Sequence, residues 1–400
     1  MERRHLASIE FSIQWDSSYA VHRDRHFVDN VHFWRDIFPG NLSNYLEHLQ
    51  PGESHIEEFS AGTLVQPFDQ RRIKTFKDSQ FYKNNRETVS PETGKFYPQG
   101  WAWRALQCFP QNTTPFRVVE RHKELVVADT NHPLSRYPLT LEARLTEKQQ
   151  PSQEKGGGCK DIASILTGDG PGMQIPYQWS EKKSYTPYPF HKFNDDDDST
   201  FYQTARMVNH LDDTAIEQIK SIHSRLLCPS NIVLDLMSSW TSHLPKSYEN
   251  CQVTGLGLNR EELRANPQLA RTVIHDLNKL PTLPFPDNSF DAVICTASIE
   301  YLTRPLEILA EIARVTIPGG IFITTFSDRW FPGKEIEPWA DLHRFERLGL
   351  ILDYYLKTGK FENVHTETIL GLPRPLTDKH ITKTRISDPI FAVWANIRWP

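Results

Sequence analysis

Three polar positions at the ends of short apolar runs carry the clearest chemistry in this chain: Asp235 after Ile232–Leu234, Asp276 after Thr272–Ile274, and the stretch Thr296–Glu300 after Phe290–Cys295. In a doubly wound sheet, ligands bind beyond the carboxyl ends of the strands, so three such ends in order would converge on one crevice. The plainer reading of any single one is a carboxylate that caps the next turn. As an ordered set they point to a ligand site. The connection after Asp235 is unusual, because a glycine-rich turn is the norm there and this chain has Met237-Ser238-Ser239-Trp240. A pyrophosphate needs glycines so that the backbone can approach it. Their loss therefore counts against a dinucleotide.

The elements that would hold these residues alternate in type. The runs IVLDL, CQVTGLGL, TVIHDL, FDAVICTAS and GGIFITTF read as strands. Arg260–Ala265 and 305–315 read as helices, the second with Leu306, Leu309, Ala310 and Ala313 on one face. Residues 211–227 form a further helix, with Ala215, Ile219, Ile222 and Leu226 on one face. Asp213 and Thr214 are its cap candidates, and Thr214 and Glu217 have capping-box spacing. Apolar strands alternating with helices imply a parallel sheet covered on both faces. ENVHTETIL and PIFAVWANIRW would add a terminal hairpin to it.

Residues 201–330 resemble a class I S-adenosylmethionine-dependent methyltransferase of the type 11, small-molecule kind. The carrying residues are VLDL at 233–236, LPFPDNSFDAVI at 283–294, EYL at 300–302 and RVTIPGGIFITT at 314–325. The resemblance implies a Rossmann-like α/β domain over 201–400 with S-adenosylmethionine as cofactor. Asp235 would help to hold the methionine amino end, with Met237, Ser238 and Ser239 in the loop beneath it. Asp276, Leu277 and Asn278 would read the adenine, and Ala297 and Ser298 would line the crevice floor. Pro318-Gly319-Gly320 would be a structural turn. An acid usually meets the ribose hydroxyls about 20 residues after the first motif. Gly257 stands there instead, and Asn259 is the nearest polar substitute. Tyr202 and Arg206 would lid the cofactor near its carboxylate. Because this cofactor has no phosphate, small serines can replace the glycines.

Beyond the fifth strand, residues 326–349 mix Trp330, Phe331 and Trp339 with Arg329, Lys334, His343 and Arg347. Acceptor-binding elements are usually inserted at this place, so Arg329, Trp330, Trp339 and His343 are the candidates for holding a small anionic or soft acceptor, a thiol or sulfide included. Aromatic residues in such a run are more often simply core. His343 and Glu300 are the candidate bases, with Tyr301 as second choice, although in-line positioning can suffice for methyl transfer.

The N-terminal half reads differently. Residues 1–30 look irregular, and 31–148 look like a β domain. It would hold a hairpin at 116–119 and 125–128, a loop or flap over 82–101, and an alternating strand through Leu139, Leu141, Ala143 and Leu145. LVVADTNHPLSRYPLTLEARL at 125–145 is similar to the closing strands of a SlyD-like FKBP domain, with Asn131-His132-Pro133-Leu134 as the matching segment. A smaller, mainly β, FKBP-like domain is therefore expected there. Residues 149–200, with GGG and the acidic run Asp195–Asp198, read as a linker, and the acidic run as a solvated loop with no metal site.

Composition sets the outer bounds. The chain has 400 residues, a formal charge of −5 and 28 prolines. Its length favours two domains. The charge gives no basic field for nucleic acid, and no run approaches the roughly 20 apolar residues of a membrane span. Five scattered cysteines fit a reducing compartment rather than a disulfide framework or a zinc cluster. With no apolar segment in a signal peptide's place, a cytoplasmic location is expected. These readings favour a small-molecule methyltransferase. The rival is a non-catalytic binding or chaperone-like protein with a degenerate methyltransferase fold and an FKBP-like module.

Overall fold

The computed structural model describes residues 6–82, 90–149, 157–176, 190–192, 194, 198–248 and 251–399. The chain divides into two compact units. The first holds Met1–Ser18, Arg23–Thr186 and His343–Leu350; the second holds Tyr19–His22, Pro187–Leu342 and Ile351–Pro400.

Among the described residues, eight strands lie wholly or mostly in the first unit: β1 (Leu6–Asp16), β2 (Val21–His32), β3 (Ser54–Phe59), β4 (Ile73–Lys77), β5 (Phe96–Pro98), β6 (Pro115–His122), β7 (Leu125–Asp129) and β8 (Leu139–Gln149). They form a sheet in the order β2-β1-β8-β3 and a second in the order β4-β7-β6-β5. The alternation expected at 139–145 is real: Leu139, Leu141, Ala143 and Leu145 are all buried along β8. The first 30 residues, expected to be irregular, instead supply β1 and most of β2. Ala7, Ile9, Phe11, Ile13 and Trp15 bury one side of β1 at a period of two, a signal masked by the charged and polar residues between and around them. The expected flap at 82–101 contains β5 and a short 3-10 turn, Gln99–Ala102. Tyr97 and Ala102 pack there with Phe76, Phe81 and Phe116. Within the expected linker, Ile162–Thr167 is a helix capped by Asp161, which accepts the Ser164 N–H; Ile162 and Leu166 are buried. Of the acidic run, Asp195–Asp197 lies outside the described residues. Asp198 is not freely solvated, since Lys192 Nζ is 2.5 Å from its Oδ2.

Among the described residues, the second unit has seven strands: β9 (Ile232–Leu236), β10 (Gln252–Gly257), β11 (Arg271–Ile274), β12 (Phe290–Thr296), β13 (Thr316–Phe326), β14 (Phe361–Leu370) and β15 (Ile390–Ile397). Their order is β11-β10-β9-β12-β13-β15-β14. The first five are mutually parallel, whereas β15 runs antiparallel to both β13 and β14. The order reverses between β9 and β12, which is where such sheets open a crevice. Consecutive burial of Ala292, Val293, Ile294 and Cys295 reflects a strand covered on both faces. On one face, Ala215, Ile216, Ile219 and Ile222 pack against Val233, Val253, Ala292 and Ile294. The PGG turn lies inside β13, where the register with β12 shifts. A Cβ on Gly320 would come within 2.7 Å of the Asp291 carbonyl, so the bulge requires glycine there.

The helix Asp213–Leu226 is capped by Asp212, not by the expected Asp213 or Thr214: Asp212 Oδ1 accepts the Ala215 N–H, and Thr214 donates to the Pro373 carbonyl. Asp212 also belongs to a buried charge cluster. Arg374 Nη1 lies 3.3 Å from Asp212, Nη2 lies 2.6 Å from Asp388, and the Asp388 N–H donates to Asp212. Removing the cation leaves two carboxylates buried with reduced compensation. Arg374→Met should therefore cost about 3–5 kcal/mol in urea unfolding at neutral pH. A loss under about 1 kcal/mol would show that the cluster is not a stabilising centre.

Candidate functional site

Beyond the carboxyl ends of β9, β10 and β12 opens a cleft with a cavity volume of about 170 Å³. The turn after β9 shapes its floor. Met237 takes φ +56°, reversing the chain, and the Ser238 N–H donates to the Leu256 carbonyl at 2.8 Å. The Ser238 carbonyl in turn presses on β10: a Cβ on Gly257 would stand 2.3 Å from it. A side chain at 257, the usual place of the ribose acid, is sterically excluded by this turn. The two departures seen in the sequence, the missing glycine loop and the missing acid, are thus one structural fact.

Asp235 is buried at the centre of the floor. Ser238 Oγ donates to its Oδ2 at 2.5 Å, and burial raises its carboxyl to about 6 against the pull of hydrogen bonds from Ser238 and Ser242. Among the described residues no cation pairs with it. Next to it, Ser239 Oγ donates to Glu262 Oε2 at 2.6 Å, and the Arg206 N–H donates to Glu262 Oε1 at 2.7 Å. Asn259 caps the helix Arg260–Ala265 through its Oδ1, and its Nδ2 donates to the Tyr202 carbonyl at 2.8 Å. Its amide is therefore committed to holding two backbone segments. The acid on this wall is Glu262, which reading by strand ends passes over because it sits one helical turn beyond β10. Its place three residues after the Asn259 cap is the available signal.

After β11, Asp276 Oδ1 accepts the amides of Asn278 and Lys279, which leaves Oδ2 to face a ligand, with Lys279 Nζ 3.8 Å away. Asn278 ties the wall together by donating to the Tyr301 carbonyl and accepting from Thr303. Ala297 takes φ +49°, with its N–H on the Thr325 carbonyl, and so presents a bare edge next to Ser298. Across the opening, the Arg206 guanidinium stacks 4.3 Å from the Phe201 ring centroid and donates to the Phe201 carbonyl. All thirteen residues expected around a cofactor line this one cleft: Tyr202 and Arg206, Asp235 with Met237 to Ser239, Gly257, Asn259, Asp276 to Asn278, and Ala297 with Ser298.

The expected acceptor and base residues are not brought together. Trp339 is fully buried and packs edge-on to Phe326 at 5.3 Å, so it belongs to the core. Arg329 pairs with Asp388 at 3.1 Å. Trp330 is half-buried and is not among the cleft residues. His343 belongs to the first unit, where its Nε2 pairs with Asp169 at 3.0 Å. Glu300 is fully buried and does not line the cleft. Tyr301 does line it, and the Phe331 N–H donates to its hydroxyl at 2.9 Å. Burial, followed by the charge of Glu300, raises that phenol well above its ordinary value, so it keeps its proton and cannot act as a base. The sequence reading also passed over Phe331, Trp240 and His210 as cleft residues. Among the described residues, no group of three or more His, Cys, Asp or Glu side chains could hold a metal, and no helix is long and apolar enough to cross a membrane.

Residues 237–324 match the family model described as a methyltransferase domain. The chain is similar to a ubiquinone/menaquinone biosynthesis C-methyltransferase of Chromobacterium violaceum, 30% identical over 122 residues, covering 29% of this chain and 48% of that protein. It is also similar to a fatty-acid O-methyltransferase of Mycolicibacterium smegmatis, 27% identical over 158 residues and covering 38% and 53% of the two chains. The chain thus spans about half the length of these curated relatives. Among solved structures, an S-adenosylmethionine-dependent methyltransferase from Mesorhizobium loti aligns at 17% identity and TM-score 0.30, over 46% of this chain and all but 1% of that one. The matched residues 237–324 run from the turn after β9 into β13.

Two outcomes follow from the cleft floor. Gly257→Ala forces the Ser238 carbonyl away and should destabilise the fold by about 1–3 kcal/mol in thermal or urea unfolding; an unchanged midpoint would mean that the turn yields freely. Asp235, raised in the folded state, favours the protonated form. Stability from this group is therefore fullest below its unfolded value near 3.8 and is lost as pH rises through about 6. Across that window, unfolding midpoints should shift progressively in favour of Asp235→Asn relative to the wild type. A constant difference would show that the buried carboxylate is not raised.

Proposed function

We propose that this chain is an S-adenosylmethionine-dependent methyltransferase acting on a small-molecule acceptor. The observation that carries the reading is Asp235, a buried carboxylate with no cation against it among the described residues, at the strand end where the sheet order reverses. A buried anion of this kind suits a ligand ammonium group, and the rest of the cleft agrees. Asp198 and Asp276 also line it but have Lys192 and Lys279 against them; Glu262 lines it without a lysine partner among the described residues, so this part of the wall favours a ligand that brings positive charge. Nothing in the floor is built to meet a phosphate.

Asp235 would hold the amino end, and Oδ2 of Asp276, with Lys279 Nζ 3.8 Å away, would accept from the adenine amino group. Glu262 has lone pairs left beyond its bonds to Ser239 and Arg206, and in place of the excluded acid at 257 it would accept from the ribose hydroxyls. Tyr202, held over the cleft through Asn259, would shield the site from water. Bound S-adenosylmethionine supplies an electrophilic methyl group on a sulfonium. The contribution of the protein is to fix an acceptor in line with it.

For residues 31–148 the FKBP-like reading rests on Asn131 to Leu134, which joins β7 to β8. His132 Nε2 bonds the Thr167 carbonyl there, and Asn131 bridges to Asp69. We assign this module no isomerase activity.

Titration calorimetry tests the reading. S-adenosylmethionine and S-adenosylhomocysteine should both bind, and Asp235→Asn should weaken each by about 10- to 100-fold. Near pH 6, binding to the wild type should release protons, seen as a dependence on buffer ionisation enthalpy, because an ammonium neighbour drives Asp235 to ionise. The absence of binding by both ligands would refute the assignment.

A further inference from the structure

The residues assigned to the cofactor leave one part of the cleft wall unused: Val208, His210, Trp240 and Phe331, with Tyr301 behind them. This part is aromatic. Phe331 is its hub, meeting His210 edge-on at 4.9 Å, Tyr202 at 6.4 Å and Tyr301 stacked at 6.1 Å. His210 is exposed at the rim, and among the described residues its ring makes no hydrogen bond, so a nitrogen is free to meet a ligand. The charge of the cleft narrows the ligand further. Asp198, Asp235, Glu262 and Asp276 face one guanidinium, and that guanidinium is already committed to the Phe201 ring and carbonyl. Lys192 pairs with Asp198 and Lys279 lies 3.8 Å from Asp276, so Asp235 and Glu262 are left without a lysine partner among the described residues, and a carboxylate acceptor near these two would meet repulsion.

Resting on the methyltransferase reading above, we propose that the acceptor is a neutral, planar, hydroxyl-bearing aromatic molecule that stacks against Phe331, and that His210 takes its hydroxyl proton. The oxygen–carbon bond forms as the sulfur–carbon bond breaks. The electron pair of the broken bond stays on sulfur, which becomes a neutral thioether, and the hydroxyl proton passes to the imidazole. Burial, followed by Lys379 and Arg206 and then Arg329, lowers the His210 imidazole, while Glu262 pulls the other way. The ring is therefore neutral at pH 7 and able to accept a proton.

The test uses the full chain with naphthol, naphthoate, naphthylamine and thionaphthol as probes. In the presence of S-adenosylhomocysteine, naphthol should bind at least about tenfold tighter than naphthoate. Phe331→Ala should weaken naphthol by about tenfold, and by more than it weakens S-adenosylhomocysteine, whose lid residue Tyr202 also meets this ring. With S-adenosylmethionine, naphthol should give its methyl ether. His210→Gln should slow that step by at least about 100-fold and leave naphthol affinity nearly unchanged. Equal or tighter binding of naphthoate, faster methylation of the amine or thiol, or full activity in His210→Gln would each overturn the proposal. Failure of S-adenosylhomocysteine to bind the wild type is the separate result that overturns the methyltransferase reading itself.

Discussion

Ser238 connects the two central strands and the ligand floor through three contacts. Its N–H is held by the Leu256 carbonyl, its carbonyl fills the space that a Cβ at Gly257 would need, and its hydroxyl donates to the buried carboxylate of Asp235. The positive φ of Met237 makes these contacts simultaneously reachable. Once the turn lies this low, no side chain fits at 257, and the acid that usually follows the second strand has no room. The chain places its second carboxylate on the next helix instead. Glu262 is fixed there by the Ser239 hydroxyl and by the amide of Arg206. One tight turn thus sets the position of two of the four carboxylates in the cleft.

Those carboxylates set the character of the cleft. Asp198 is neutralised by Lys192, and Asp276 has a distant lysine. Asp235 has only hydroxyl partners, and a carboxyl raised to about 6 shows that its burial is incompletely compensated. A binding site commonly carries such a cost, because the ligand supplies the missing partner. The opposite wall is a cluster of rings centred on Phe331, with little charge of its own. An acidic floor and an aromatic rim meet in one cleft.

Much of this was legible from the residues. Continuous apolar runs gave β9, β10 and β12 nearly to the residue, because strands buried on both faces contain few polar interruptions. The polar strand ends located the residues that line the cleft. What stayed hidden depends on long-range packing. Trp339 and Arg329 read as acceptor residues from their neighbours in sequence, yet one fills a core against Phe326 and the other answers Asp388, 59 residues away. His343 belongs to another unit, which no local pattern announces. β1 was missed although its alternation is present, because charged segments on both sides obscured it. Asn259 looked like a ligand group and is a helix cap. The amide chemistry is identical, and only the partners distinguish the two roles.

The most direct measurement of the central claim is a crystal structure of the full chain with S-adenosylhomocysteine. The amino group should lie within hydrogen-bonding distance of the Asp235 carboxylate, the ribose hydroxyls at Glu262 and the purine amino group at Asp276, with the Met237–Ser239 turn unmoved. A ligand seated elsewhere, or ribose hydroxyls turned away from Glu262 while the turn lifts off Gly257, would contradict it.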